Sequence, residues 1–130
     1  MTIMAETITP ERLDTLLTDE SIPLAHRALW RLLWESDIRI LDLLSLTVAE
    51  VDPDSRQIVR PGPGFPVALS ERATGLLTPL LDGRSGGPLF LAGQQRRALS
   101  WEEAVRTAKS HGHAIHAFRT GGKQHRRHSA

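Results

Sequence analysis

The sequence predicts a mainly helical α+β domain with a small antiparallel sheet, and three observations carry that prediction. Apolar residues recur at helical spacing in separate stretches, as in Leu13/Leu16/Leu17, Ala25/Ala28/Leu29/Leu32/Leu33 and Leu76/Leu77/Leu80/Leu81. Only two short segments read as strands, 56–60 and 65–69, and Pro61-Gly62-Pro63-Gly64 forces a turn between them. At 130 residues and 40% apolar composition, the chain suits one domain with a real core better than two.

Composition narrows the class further. The chain has no cysteine, which rules out a disulfide framework and a thiolate metal site. No apolar run approaches the roughly 18–20 residues of a membrane span, and residues 1–9 lack a basic segment followed by an apolar one. A soluble cytoplasmic protein without membrane contact is expected. The net charge of +1 hides an asymmetry: residues 1–55 carry four Arg/Lys against eleven Asp/Glu, whereas residues 56–130 carry twelve against four. A one-sided basic field attracts polyanions, although such a run also serves as a plain solvated face.

The elements follow in order. Residues 1–8 have no periodicity and are expected to be disordered. Thr9 and Pro10 read as N-cap and first helical position, because proline has no N–H to lose there. That helix should end near Thr18. Ser21 is expected to cap a second helix running across Pro23 to about Glu35, with Trp30 and Trp34 adding a second apolar stripe that reads as core. Val51-Asp52-Pro53-Asp54-Ser55 reads as a turn, followed by the 56–60 and 65–69 strands, the second at an edge because Pro66 lacks a ladder donor. Ser70 caps a third helix closed by Asp82-Gly83, and Arg84 to Gly87 is a loop without the Lys-Ser/Thr ending of a phosphate loop. Leu89-Phe90-Leu91 reads as a buried anchor. Ser100-Trp101-Glu102-Glu103 is a capping box opening a helix to about Ser110.

The most informative stretch is 35–54, where Arg39 sits among Ile38, Ile40, Leu41, Leu43, Leu44 and Leu46 in what reads as one helix. Arg39, Asp42 and Ser45, spaced by three, would share an edge of it. A guanidinium at the margin of a core needs a partner or a ligand. Asp42 is the local partner, and a plain surface pair is the competing reading. At the other end of the chain, 111–119 concentrates His111, His113, His116 and Arg119. His113 and His116 have chelating spacing on a helix, but no carboxylate or cysteine lies nearby to complete a site, so neither a metal nor a cofactor is expected. Residues 120–130 are expected to form a basic disordered tail.

In order and spacing, these pieces resemble the catalytic domain of the tyrosine recombinases, the phage and plasmid integrase family. Thr9-Pro10-Glu11-Arg12-Leu13 is similar to the family's opening, and Ser36-Asp37-Ile38-Arg39 with Asp42-Leu43-Leu44 to its first box, commonly Thr-Gly-Leu-Arg followed by Glu-Leu-Leu. Val67-Ala68-Leu69-Ser70 resembles the Val-Pro-Leu-Ser before the next helix, Gly87-Pro88-Leu89-Phe90 the short anchor after it, and His116-Ala117-Phe118-Arg119 the His-x-Leu-Arg second box. The resemblance covers about 9–119. It implies catalytic roles at three positions, with Arg39 and Arg119 clamping the scissile DNA phosphate and His116 donating to it. Charge-assisted, bidentate bonds to phosphate oxygens suit that task.

The departures set limits on that expectation. The chain has no tyrosine, so the family's nucleophile is missing. Pro61-Gly62-Pro63-Gly64 stands where the family's hairpin lysine is expected, Thr120 follows the second-box arginine where a histidine is usual, and the third box has no counterpart in 120–130. The resemblance therefore implies a partial domain, incomplete at its C-terminus: a truncated or degenerate recombinase, associated with DNA recombination and integration in a mobile genetic element, that keeps part of a phosphate pocket and does not cleave DNA alone. The alternative is a non-catalytic DNA-binding or protein-interaction module derived from the same fold. DNA, held weakly through phosphates, is the expected partner, with a full-length recombinase or a second copy of the chain as the protein partner.

Overall fold

The first helix, α1 (Pro10–Leu17), starts where Thr9 and Pro10 place it: the Thr9 hydroxyl accepts from the Arg12 amide at 3.0 Å, and proline fills the first position. This computed structural model describes residues 8–93 and 97–129. Most of the expected disordered start, residues 1–7, lies outside the described residues, but Ile8 is 2% exposed and belongs to the core.

The axis of the fold is α2 (Leu24–Glu35), which buries Ala25, His26, Ala28, Leu29, Trp30, Leu32, Leu33 and Trp34. Burial contributes roughly 1.5–3 kcal/mol for each large apolar side chain. No other element supplies so many. A helix apolar on two sides needs covering on both: α1 and α4 (Glu71–Leu81) pack on it, as does α6 (Ile115–Ser129). The two-stripe reading of Trp30 and Trp34 is thus a core reading. Ser21, expected as the cap, is not one. The helix begins after Pro23 without a side-chain cap, while Ser21 bonds Asp19 Oδ1 at 2.6 Å in the turn that buries Ile22.

The expected long helix around Arg39 is only α3 (Ile40–Leu44), with Arg39 as its extended N-cap residue and Ser45 as its C-cap. It is also less buried than expected, for Leu41 is 64% exposed. After it, Thr47 and Glu50 form a capping box around the 3₁₀ turn Val48–Glu50. The sheet has three strands, β1 (Val51–Asp52), β2 (Gln57–Ile58) and β3 (Val67–Ala68), antiparallel in the order β1-β2-β3. Val51 pairs with Ile58 and Ile58 with Val67, so Val51 and Asp52, read from sequence as the start of a turn, are a strand. The two expected strands are shorter than read, and β3 occupies an edge directly after Pro66.

The remaining caps fall as expected. Ser70 accepts from the Ala73 amide at 3.0 Å to open α4, and Gly83 takes φ +70 just past its end. Leu89 and Phe90 are wholly buried. Ser100 and Glu103 form the predicted box at the start of α5 (Trp101–Ser110). The basic tail, however, is not a tail. Residues 120–129 continue α6 to Ser129, and Ala117, Phe118, Gly121 and Gly122 make its buried face against α2. A hydrophobic count overlooks that face because half of it is glycine. A side chain on Gly122 would overlap the Trp34 carbonyl, and one on Gly121 would lie 3.0 Å from the Trp34 ring.

Candidate functional site

Two connections bring the ends of the chain together. Between α2 and α3, residues 36–39 run extended: Ser36 turns out of the helix, its hydroxyl donating to the Leu32 carbonyl at 2.6 Å, and Ile38 drops into the core, leaving Arg39 outside. Across from it α6 begins, with Ile115 and Phe118 pointing inward and His116 and Arg119, three apart, on the outer side. The result is an open cavity of about 870 Å³ lined by Leu33, Arg39, Ile40, Leu41, Asp42, Trp101, Ile115, His116 and Arg119.

All three residues singled out from the sequence thus line one cavity although about 80 positions separate the first from the others. Their surroundings differ. The Arg39 guanidinium is exposed and makes no hydrogen bond or ion pair with a described residue, so the expected Arg39–Asp42 pair does not form. Arg119 is half-buried. Its Nη2 donates to the Asp37 carbonyl at 3.0 Å, and its Nε is buried with no acceptor among the described residues. His116 is exposed on one side and lies against Trp101 on the other, with ring centroids 5.6 Å apart and planes tilted by 47°. Among the described residues Asp42 is the only carboxylate on the wall, against two guanidiniums. Two guanidiniums against one carboxylate suit such a site to an anion.

The connection between β2 and β3 does not add a cation to this cavity. Its basic residue, Arg60, is held elsewhere by bonds to Glu50 at 2.8 and 2.9 Å and to the Ser45 hydroxyl at 2.8 Å. The Arg60 hydrogen bonds hold the Glu50 carboxyl down at about 2. Among the described residues no group of three or more histidines and carboxylates could hold a metal ion.

Three residues near the site carry no signal strong enough to single them out from sequence. Trp101 faces His116, yet in sequence it is only part of a capping box. Asp37 and Arg126 meet at 3.0 Å across 89 positions, and Arg126 also donates to the Trp34 carbonyl. A backbone acceptor has no sequence signature, which is why that link is invisible before folding.

Solved recombinase structures share this architecture. The crystal structure of XerA recombinase matches 99% of this chain and 52% of its own, with a TM-score of 0.79 and 18% identity. The Tn1549 transposon integrase in complex with circular intermediate DNA matches 99% of this chain and 54% of its own, with a TM-score of 0.74 and 17% identity. A point variant of the same integrase, in complex with another circular intermediate DNA, gives a TM-score of 0.73 at 16% identity. At such identities the likeness is one of fold: the chain has a tyrosine-recombinase-like fold and spans about half the length of the structures it matches. No protein-family model matches the sequence, and no curated protein matches it. No helix among the described residues is long and apolar enough to cross a membrane.

Proposed function

We propose that this chain binds a DNA backbone phosphate between Arg39 and Arg119, with His116 donating to the same group, and that it serves DNA recombination or integration as a partial recombinase domain without cutting DNA itself. The observation that carries the reading is the shared cavity: two guanidiniums and an imidazole from distant segments line one wall system, on a fold whose solved neighbours include an integrase bound to DNA. Two arginines would offer bidentate, charge-assisted bonds to phosphate oxygens and would offset charge building up on a phosphoryl group. The histidine would add a ring N–H as a further hydrogen-bond donor to the same group.

What the reading withholds is the covalent step. The 130 residues contain no tyrosine, and Arg60 is tied to Glu50 instead of lining the cavity, so neither a phenol nucleophile nor a hairpin cation for the leaving oxygen is supplied from within this chain. They would come from outside these 130 residues, for instance from a full-length recombinase bound beside this chain.

Affinity for a labelled duplex, titrated at several salt concentrations, tests the proposal. Counterion release should make binding weak, steeply salt-dependent and indifferent to sequence. Arg39→Ala is the clean variant, because Arg39 is exposed and bonded to no described residue. It should leave the melting temperature unchanged and lower the log–log salt slope by about 0.9, the value of one lost phosphate contact. Unchanged affinity and slope for both Arg39→Ala and Arg119→Lys would remove the phosphate reading and leave a fold resemblance.

A further inference from the structure

The C-terminal end of α2 is closed by side chains of another helix. The last carbonyls of a helix lack intrahelical partners, and here the chain turns extended at Ser36, with φ −128 and ψ 166. Arg126 bridges that break: its Nη1 donates to the Trp34 carbonyl and its Nη2 to Asp37 Oδ1 at 3.0 Å. Two turns earlier on α6, Arg119 donates to the Asp37 carbonyl at 3.0 Å. Asp37 is therefore held at its backbone by one arginine and at its carboxylate by another. Arg39 follows two residues later on the same extended segment. The close approach of the helices at Gly122 lets a side chain of α6 reach this break.

We infer that Asp37 and Arg126 are positioning residues, fixing the segment that carries Arg39 against the helix that carries His116 and Arg119; the inference rests on the phosphate-binding reading of that cavity. Neither residue lines this cavity; Asp37 lines the adjoining one, which shares Arg39 and Asp42 with it. The exposed Asp37 carboxylate, 73% accessible, and Arg126, 34% accessible, make a pair worth little as a surface salt bridge. The value of the arrangement lies in geometry, because a clamp made from two separate segments works only when their spacing is set beforehand.

Charge and geometry predict opposite signs for one substitution, which makes the test decisive. Removing the Asp37 carboxylate takes a negative charge from beside an anion site, so electrostatics alone tightens binding of a labelled duplex. Positioning loosens it. Asp37→Ala should weaken duplex binding roughly fivefold with the salt slope retained, since no phosphate contact is lost. Asp37→Asn keeps an oxygen acceptor at the same place and should restore affinity to the parent's level or better. Arg126→Ala should weaken binding with the slope retained, and the double variant should be no worse than the weaker single, as expected for residues acting as one unit. Tighter binding by Asp37→Ala, additive losses, or a slope reduced by about 0.9 in Arg126→Ala would overturn the inference, the last by making Arg126 a direct phosphate contact. If Arg126→Ala melts below the working temperature, the Asp37→Ala and Asp37→Asn pair decides. Arg39→Ala and Arg119→Lys in the same series separate the two ideas: no effect of either removes the phosphate reading and this inference with it, whereas an effect there without one at Asp37→Ala removes only the positioning role.

Discussion

Trp30 of α2 and Phe118 of α6 stack face to face, their ring centroids 4.8 Å apart and their planes 6° from parallel. Both are 0% exposed, so the contact is the dry centre of the crossing that holds His116 and Arg119 in place. Phe118→Ala should lower the unfolding free energy by about 3–5 kcal/mol, the usual cost of emptying an aromatic core site. Urea unfolding followed by circular dichroism measures it, and a loss under about 1 kcal/mol would mean that the crossing relaxes to fill the space.

Two glycine substitutions in helices should have opposite signs. Gly75 in α4 has nothing within 4 Å of where a methyl would stand, so Gly75→Ala should stabilise by about 0.5–1 kcal/mol through helix preference alone. Gly122→Ala gains the same preference but pushes a methyl into the Trp34 carbonyl, and backbone cannot swing away as a side-chain end can. The net effect should be a loss of about 1–3 kcal/mol. Melting temperatures of the two variants against the parent decide the signs.

Stability should fall as the solution is acidified through the histidine range. Burial is the main cause that lowers the pKa of His26 from its ordinary 6.5, with the nearby His111 acting in the same direction and Glu103 against it. A base with a lowered folded pKa takes up its proton first in the unfolded chain, so the stability it lends is complete above about 6.5 and is lost as the pH falls below that. The carboxyls of Glu50 and Glu103, held at about 2 by Arg60 and Arg97, remain ionised in that window and do not confuse it. Thermal melts between about pH 7 and 5.5 should slope downward toward acid for the parent and less so for His26→Leu. Parallel slopes would assign the effect to another group.

Mixed with supercoiled or nicked DNA, the chain should form no covalent adduct. The hydroxyls that follow Arg119 in sequence, Thr120 and Ser129, are far weaker acids than a phenol of pKa about 10. A denaturing gel on which labelled DNA travels with the protein, and ceases to do so in Arg39→Ala, would establish a nucleophile of another kind.

What was legible in the sequence was mostly local. The Thr9/Pro10, Ser70 and Ser100/Glu103 caps were readable because a cap's partners lie within three residues. Ser21 misled because burying Ile22 costs an extra turn before the helix starts. The place of Arg39 is hidden for a related reason: aliphatic residues on both sides suggest one continuous helix, but the chain runs extended before α3, which puts Ile38 inside and Arg39 outside. The meeting of Arg39 with His116 and Arg119 came through a family resemblance and not from spacing. The second half of α6 is not legible in the sequence, because Gly121 and Gly122 present an interface made of backbone, which no measure of apolar content registers.

The placement of the three tryptophans gives the protein an optical window. Trp30 and Trp34 are sealed in the helix crossing at 0% and 4% exposure, whereas Trp101 stands half-open on the cavity wall beside His116. A water-borne quencher such as iodide therefore meets one indole and not the other two. Light emitted from that accessible fraction comes from the candidate site alone, so an occupant that covers it would announce itself by shielding, with no dye attached to either partner.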